Sequence, residues 1–266
     1  MKLNFKIPKI MPYKAIVKKL YRKQIHKLYK RKHALSRMKI VFTPDWFLGT
    51  DVLIEFFSFL VLFMFFLFSM KSYKTNKNRN SFYLGVGFLL IALAELATII
   101  TKFVLYYDLD FTNQIGNAII NYNVANSVDI FYYIGFFFHK LLTLGGLYAI
   151  YRIPLKNPYK GDIILAIVFM IIASLFSNTI YYIFHLTALL LLILIIMNYT
   201  KVYQINKSRN TKVLIISFIL LALSQVIFLV SKLQILYAIA QIMQLVSYLT
   251  LLVLIIRIMK HGKKKK

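Results

Sequence analysis

Seven apolar runs divide this chain: Trp46 to Met70, Phe82 to Tyr107, Val128 to Tyr151, Gly161 to Ser177, Thr179 to Thr200, Lys212 to Ser231 and Gln234 to Arg257. About 20 helical residues cross the roughly 30 Å hydrocarbon core of a bilayer. Inside that core every backbone N–H and C=O must find its partner within the protein, which leaves helices or a closed barrel. A barrel strand would alternate apolar and polar residues over segments of about ten, whereas these runs are continuously apolar. The expected fold is therefore an all-α membrane protein, a seven-helix transmembrane bundle. Composition agrees, since 60% hydrophobic residues exceeds the roughly 45–50% of a soluble domain. The chain contains no cysteine, which removes disulfides, thiolate metal sites and cysteine nucleophiles.

The runs are not independent of one another. Tyr73 to Tyr107 and Tyr203 to Tyr237 align without a gap at an offset of 130, with 12 of 35 residues identical, including Asn76/Asn206, Lys77/Lys207, Arg79/Arg209, Asn80/Asn210, Phe88/Phe218 and Lys102/Lys232. Each copy is a basic, Asn-rich loop entering an apolar span with a polar residue near its middle, Glu95 in one and Gln225 in the other. The same offset aligns Glu55 with His185 and Leu62 with Leu192. A second offset of 105 pairs Tyr132 with Tyr237, His139 with Gln244, Leu144 with Leu249 and Arg152 with Arg257. The pattern predicts a parallel internal repeat of three helices, a linker helix and three helices. Its expected divisions are a basic amphipathic tail (1–40), a first repeat (41–153), linker helix 4 (154–178), a second repeat (179–258) and a basic tail (259–266). Parallel repeats place transport sites near the midplane between the halves.

Charge sets the expected orientation. Of 34 Lys and Arg residues, 14 lie in residues 1 to 39, a segment without any acid. Its apolar residues Ile16, Leu20, Ile25 and Leu28 recur near helical spacing, as in a helix lying on an anionic membrane. Met38 is an alternative start, and omitting residues 1 to 37 lowers the net charge from +26 to +13. The loops 71–81, 152–160 and 201–212 and the C-terminus are basic, while the 108–127 loop carries Asp108 and Asp110 and no base. The positive-inside rule then places those loops and the C-terminus in the cytoplasm and the start of the first span outside the cell membrane. The expected partners are membrane lipids, anionic ones through the basic loops and tails. A homo-oligomer and a separate membrane partner both stay open, and nucleic acid is not expected.

Ionisable residues within membrane spans are costly and point to function. Here they are Glu55, Glu95, Lys102, His139 and His185, with the amides Gln225, Gln241 and Gln244 as further pathway candidates. Glu95, Thr98 and Lys102 share one helical face, a stripe too long for a direct i, i+7 salt bridge, so another helix or a water is the expected partner of Lys102, or else its ammonium reaches the membrane surface. Asp51 and Glu55 lie at i, i+4. His139 can change charge near neutral pH. Gly85, Gly87, Ala92, Ala94 and Ala97 in the second helix and Gly145 and Gly146 in the third predict that each packs closely on some neighbour. No catalytic residue, metal site or cofactor is expected. The last span has no lysine for a retinal Schiff base, two span histidines are too few for a seven-helix zinc hydrolase, and no Walker, Rossmann, HExxH or nucleophile-elbow pattern occurs.

At Phe42 to Glu55 (FTPDWFLGTDVLIE), Asn78 to Glu95 (NRNSFYLGVGFLLIALAE) and Gly135 to Ile153 (GFFFHKLLTLGGLYAIYRI), the chain resembles a family of uncharacterised archaeal seven-transmembrane-helix membrane proteins, from about residue 39 onward. That resemblance implies the seven-helix plan and no activity. The plan is also similar to that of sugar-efflux and PQ-loop transporters and of microbial rhodopsins, although no helix carries a Pro-Gln pair. The expected function is movement of a small polar solute or proton between the repeats, with Glu95 and His139 as proton-responsive groups, Glu55 and His185 as the outer vestibule, and Gln225 and Gln244 opposite. A receptor-like sensor signalling to a partner and a non-catalytic membrane scaffold are the alternatives.

Overall fold

A computed structural model describes residues 44–47, 49–77, 79–107, 124–154, 160–177, 180–230 and 234–263. The amphipathic tail expected over residues 1–40, and most of the acidic 108–127 loop, lie outside these residues. Within them a 3-10 turn, Asp45–Phe47, leads into α1 (Thr50–Asn76), α2 (Arg79–Tyr107), α3 (Val124–Arg152), α4 (Lys160–Phe176), α5 (Tyr182–Asn206), α6 (Arg209–Val230) and α7 (Gln234–Lys263). Each apolar run has become one helix, and α3 begins four residues earlier than expected. Six of the helices are long and apolar enough to cross a membrane; the apolar stretch of α4, Ile163–Phe176, is shorter. With 17 residues at 1.5 Å each, α4 is about 25 Å long, at the lower limit of a span.

α1 and α5 end in the same way. Lys77 (φ 52) and Lys207 (φ 44) adopt the left-handed conformation, and their N–H groups donate to Tyr73 O at 2.8 Å and Tyr203 O at 2.7 Å. They are the only positive-φ non-glycine residues among those described. A left-handed L-residue costs roughly 1 kcal/mol, and glycine is the usual choice at this position. Lysine instead offers its charge to the negative end of the helix dipole, an interaction of about 0.3–1 kcal/mol. We expect Lys77→Gly and Lys207→Gly each to change stability by less than about 1 kcal/mol, with a net gain because the backbone term is the larger. Unfolding of the purified protein in mixed micelles measures this, and a loss would mean that the charge dominates.

The principal packing runs in a closed ring: α1 on α2, α2 on α3, α3 on α5, α5 on α6, α6 on α7 and α7 on α1, with α4 set against α3 and α5. α4 buries Met170, Ala173 and Ser174 and leaves Ile164, Leu165, Phe169 and Leu175 exposed. The outward face of α1 is likewise apolar, with Leu53, Phe56, Phe57, Met64 and Leu67 exposed. Water would penalise such a surface; the acyl chains of a bilayer do not, so these faces contact lipid.

The α2–α3 crossing depends on two glycines. A Cβ built on Gly146 would lie 2.6 Å from Gly87 O, and one on Gly87 would lie 3.0 Å from Gly146 O. The missing side chains therefore bring backbone against backbone, as expected of small residues at membrane helix contacts. Below this crossing, toward the C-terminal end of α1, the apolar core packs Leu62, Phe88, Leu147, Ile150, Leu192, Ile195, Phe218 and Ile255. Charged side chains are absent from that cluster. The buried acids Asp51, Glu55 and Glu95 and the buried Lys102 lie nearer the start of α1.

Candidate functional site

The site is built from the N-terminal end of α1. Its first turn carries Asp51, whose Oδ1 accepts hydrogen bonds from Gly49 N–H at 3.0 Å and Val52 N–H at 2.9 Å. These are donors that a helix leaves unsatisfied at its start, where the dipole also favours an anion. One turn later, on the same face, stands Glu55. α2 runs back alongside, so Lys102, five residues from its end, arrives between the two acids. Its Nζ donates to Asp51 Oδ2 at 2.6 Å and to Glu55 Oε1 at 2.5 Å. Asp51, Glu55 and Lys102 are 0%, 4% and 1% exposed. The alternative in which Lys102 reaches the membrane surface is thus overturned, because two carboxylates on a neighbouring helix hold the ammonium inside.

Glu95 lies two turns along the same face of α2 and is also buried. Its Oε1 accepts from Gln244 Nε2 at 2.9 Å and from the Tyr248 hydroxyl at 3.2 Å, both on α7. Residues 244 and 248 are one turn apart, so one face of α7 solvates the carboxyl from across the ring. Gln241 does not join them. Its Nε2 donates to the Tyr237 hydroxyl at 3.2 Å, on its own helix.

The histidines occupy separate positions. His139 Nδ1 lies 2.7 Å from Thr98 Oγ1 and 3.1 Å from Ala94 O. Nδ1 thus sits against one hydroxyl and one carbonyl of α2. The Thr98 hydroxyl donates to the same carbonyl at 3.2 Å. His139 is therefore bonded to the backbone and to a hydroxyl of α2, and the described hydrogen bonds do not pair it with Glu95. His185 Nδ1 lies 2.8 Å from Gln225 Oε1, joining α5 to α6, and its ring stacks on Phe228 with centroids 4.9 Å apart. Phe184 separates the two imidazoles, its centroid 5.8 Å from that of His139 and 5.0 Å from that of His185.

The expected residues thus form three groups. Glu55 and Lys102 meet, joined by Asp51, the acid one turn before Glu55. Glu95 and Gln244 meet, with Tyr248 added. His185 meets Gln225. Asp51 stands one turn before Glu55 on α1, and Tyr248 one turn after Gln244 on α7. In the first two groups three carboxyl groups stand near one ammonium in a low-dielectric interior, where isolated charge is heavily penalised. No group of three or more His, Asp or Glu side chains among the described residues could hold a metal ion. No family model, curated protein or solved structure matches the chain.

Proposed function

We propose that this multi-pass membrane protein moves a small polar solute or a proton through a site between two three-helix halves, α1–α3 and α5–α7. The observation that carries the reading is Glu95, a buried carboxyl of the first half held by Gln244 and Tyr248 of the second. A group bonded across that seam changes its partners whenever the halves move. The reading assigns the chain no enzymatic step and keeps it in the cell membrane, with the start of α1 outside and the basic loops in the cytoplasm against anionic headgroups.

Several features support the two halves as repeats. The left-handed lysines 77 and 207 end α1 and α5 with the same backbone bond to a tyrosine. Leu62 and Leu192 are equally buried, as are Phe88 and Phe218. Exchanging the halves turns the α1–α7 contact into the α5–α3 contact, and both occur. The third helices agree less well, since Leu144 is fully buried and its counterpart Leu249 is 45% exposed. In this reading α4 crosses the bilayer despite its length, which gives both halves the same orientation. The resemblance to archaeal seven-helix proteins fits the same plan.

Flux across proteoliposomes tests the proposal. Glu95→Gln keeps the volume of the side chain and removes its charge, and it is expected to lower proton or solute flux by at least about tenfold, the equivalent of 1.4 kcal/mol. Because the chain has no cysteine, single cysteines at 55, 95, 139 and 185 give a parallel measure of water access with an impermeant thiol reagent. Access without flux in the unmodified protein would favour the sensor; neither access nor flux would favour the scaffold.

A further inference from the structure

The two acids that share Lys102 are not equivalent, and their difference separates a fixed charge from an exchangeable one. Asp51 has donors on both oxygens: Oδ1 accepts two backbone N–H groups and Oδ2 accepts the ammonium. These bonds leave neither carboxyl oxygen without a donor at the helix N-terminus. Glu55 is served on one side only. Its Oε1 accepts from Lys102, while Oε2 is buried without a hydrogen-bond partner, in a residue only 4% exposed. A buried carboxylate oxygen with no donor bears the penalty of lost hydration with nothing to replace it.

We propose that Glu55 is a proton-binding site, its Oε2 taking and releasing a proton while Asp51, bonded through both oxygens, keeps Lys102 seated. The groups that face it define the balance. Asp51 comes from its own helix and Lys102 from α2. Glu95 stands two turns away on α2, and α7 contributes Gln244 and Tyr248 to Glu95. With Glu55 ionised, its carboxylate and that of Asp51 share the Lys102 ammonium. Uptake of one proton at Oε2 removes one buried negative charge from this group without moving a helix. A proton suits Oε2 better than a metal cation, because hard cations collect about six oxygen ligands and no group of three or more acid or imidazole ligands surrounds one here among the described residues. The site stands on this geometry alone; its participation in flux rests on the function proposed above, and it adds Glu55 to Glu95 as the place where the proton is held.

The test uses the full chain in proteoliposomes and dicyclohexylcarbodiimide, an apolar reagent that adds to protonated carboxyl groups within membranes. Adducts are mapped by mass spectrometry from about pH 5 to about pH 9, a range between the carboxyl and amine reference values. The expected result is an adduct on Glu55 that falls as pH rises, with none on Asp51. Infrared difference spectra over the same range remove any dependence on reagent access: the protonated-carboxyl band should lose one component in Glu55→Gln. An adduct on Asp51 in place of Glu55, or an infrared titration unchanged by Glu55→Gln, would overturn the proposal. If Glu55 titrates and the unmodified protein carries no flux, the proton site stands and the transport reading fails.

Discussion

Lys102→Met is expected to destabilise the bundle by about 3–5 kcal/mol, the cost of leaving buried charge without its partner. The wild-type arrangement places an ammonium 2.6 Å from Asp51 and 2.5 Å from Glu55. Methionine nearly matches lysine in length and removes only the charge and the donors, so cavity formation adds little. The second substitutions discriminate between the acids. Adding Asp51→Asn to Lys102→Met should recover most of the loss, because asparagine still offers an oxygen to Gly49 and Val52 and leaves no fixed charge behind. Adding Glu55→Gln should recover much less, since Glu55 can already neutralise itself by taking a proton. Reversible unfolding in mixed micelles, taken as a double-mutant cycle, gives these terms. If Lys102→Met matched the wild type within about 0.5 kcal/mol, the range of ordinary surface substitutions, the triad would have no part in holding α1 to α2.

The second large effect is steric. Gly146→Val is expected to cost about 3 kcal/mol or more, the upper end of overpacking penalties, because its Cβ alone would lie 2.6 Å from Gly87 O and 2.5 Å from Ile91 Cγ1. The Ile91 side chain can rotate away; the carbonyl of Gly87 belongs to the helix backbone and cannot. α2 and α3 would have to separate, and Glu95, Thr98 and Lys102 on α2 would shift with them. The neighbouring glycine is the control. A Cβ on Gly145 meets only Leu90 Cδ1, at 4.0 Å. Gly145→Ala should therefore be neutral or stabilise by up to about 1 kcal/mol, the helix-propensity difference between the two residues. Thermal unfolding of both variants in the same detergent compares them, and equal midpoints would mean that α2 and α3 do not meet at Gly146.

Much of the architecture was legible because it is written locally. A helix in lipid satisfies its own backbone, so an apolar run of sufficient length declares both its structure and its surroundings. The glycines of α2 and α3 marked close helix contacts for a similar reason, without naming the helix that each meets: absence of a side chain has one main use at a membrane helix contact. The fourth run, Gly161 to Ser177, matches its helix to within one residue at each end, and its 17 residues already stand at the lower limit of a span.

The polar site was legible as a list of residues and not as a set of partners. Glu55, Glu95, Lys102, His139, His185, Gln225 and Gln244 all stood out, since charge and amide groups are conspicuous in an apolar background. The i, i+7 stripe of Glu95 and Lys102 was correctly read as too long for a direct bond. What completes it comes from α1, through acids 51 and 47 residues away in sequence, and from α7, 149 and 153 residues away. Periodicity shows which residues share a face of one helix; it carries no information about which other helix that face meets.

The sequence by itself therefore determined that this is a helical multi-pass membrane protein, where its helices lie, and which side chains cannot rest in lipid without a partner. Only the tertiary structure decided that Lys102 stays inside between two acids, that His139 bonds to Thr98 and not to Glu95, and that Asp51 is fully satisfied while Glu55 keeps one oxygen bare. The physical reason is the same in each case. The cost of burying a charge is a property of the residue, whereas the relief of that cost depends on which atoms the packed helices bring within about 3 Å, the length of a hydrogen bond.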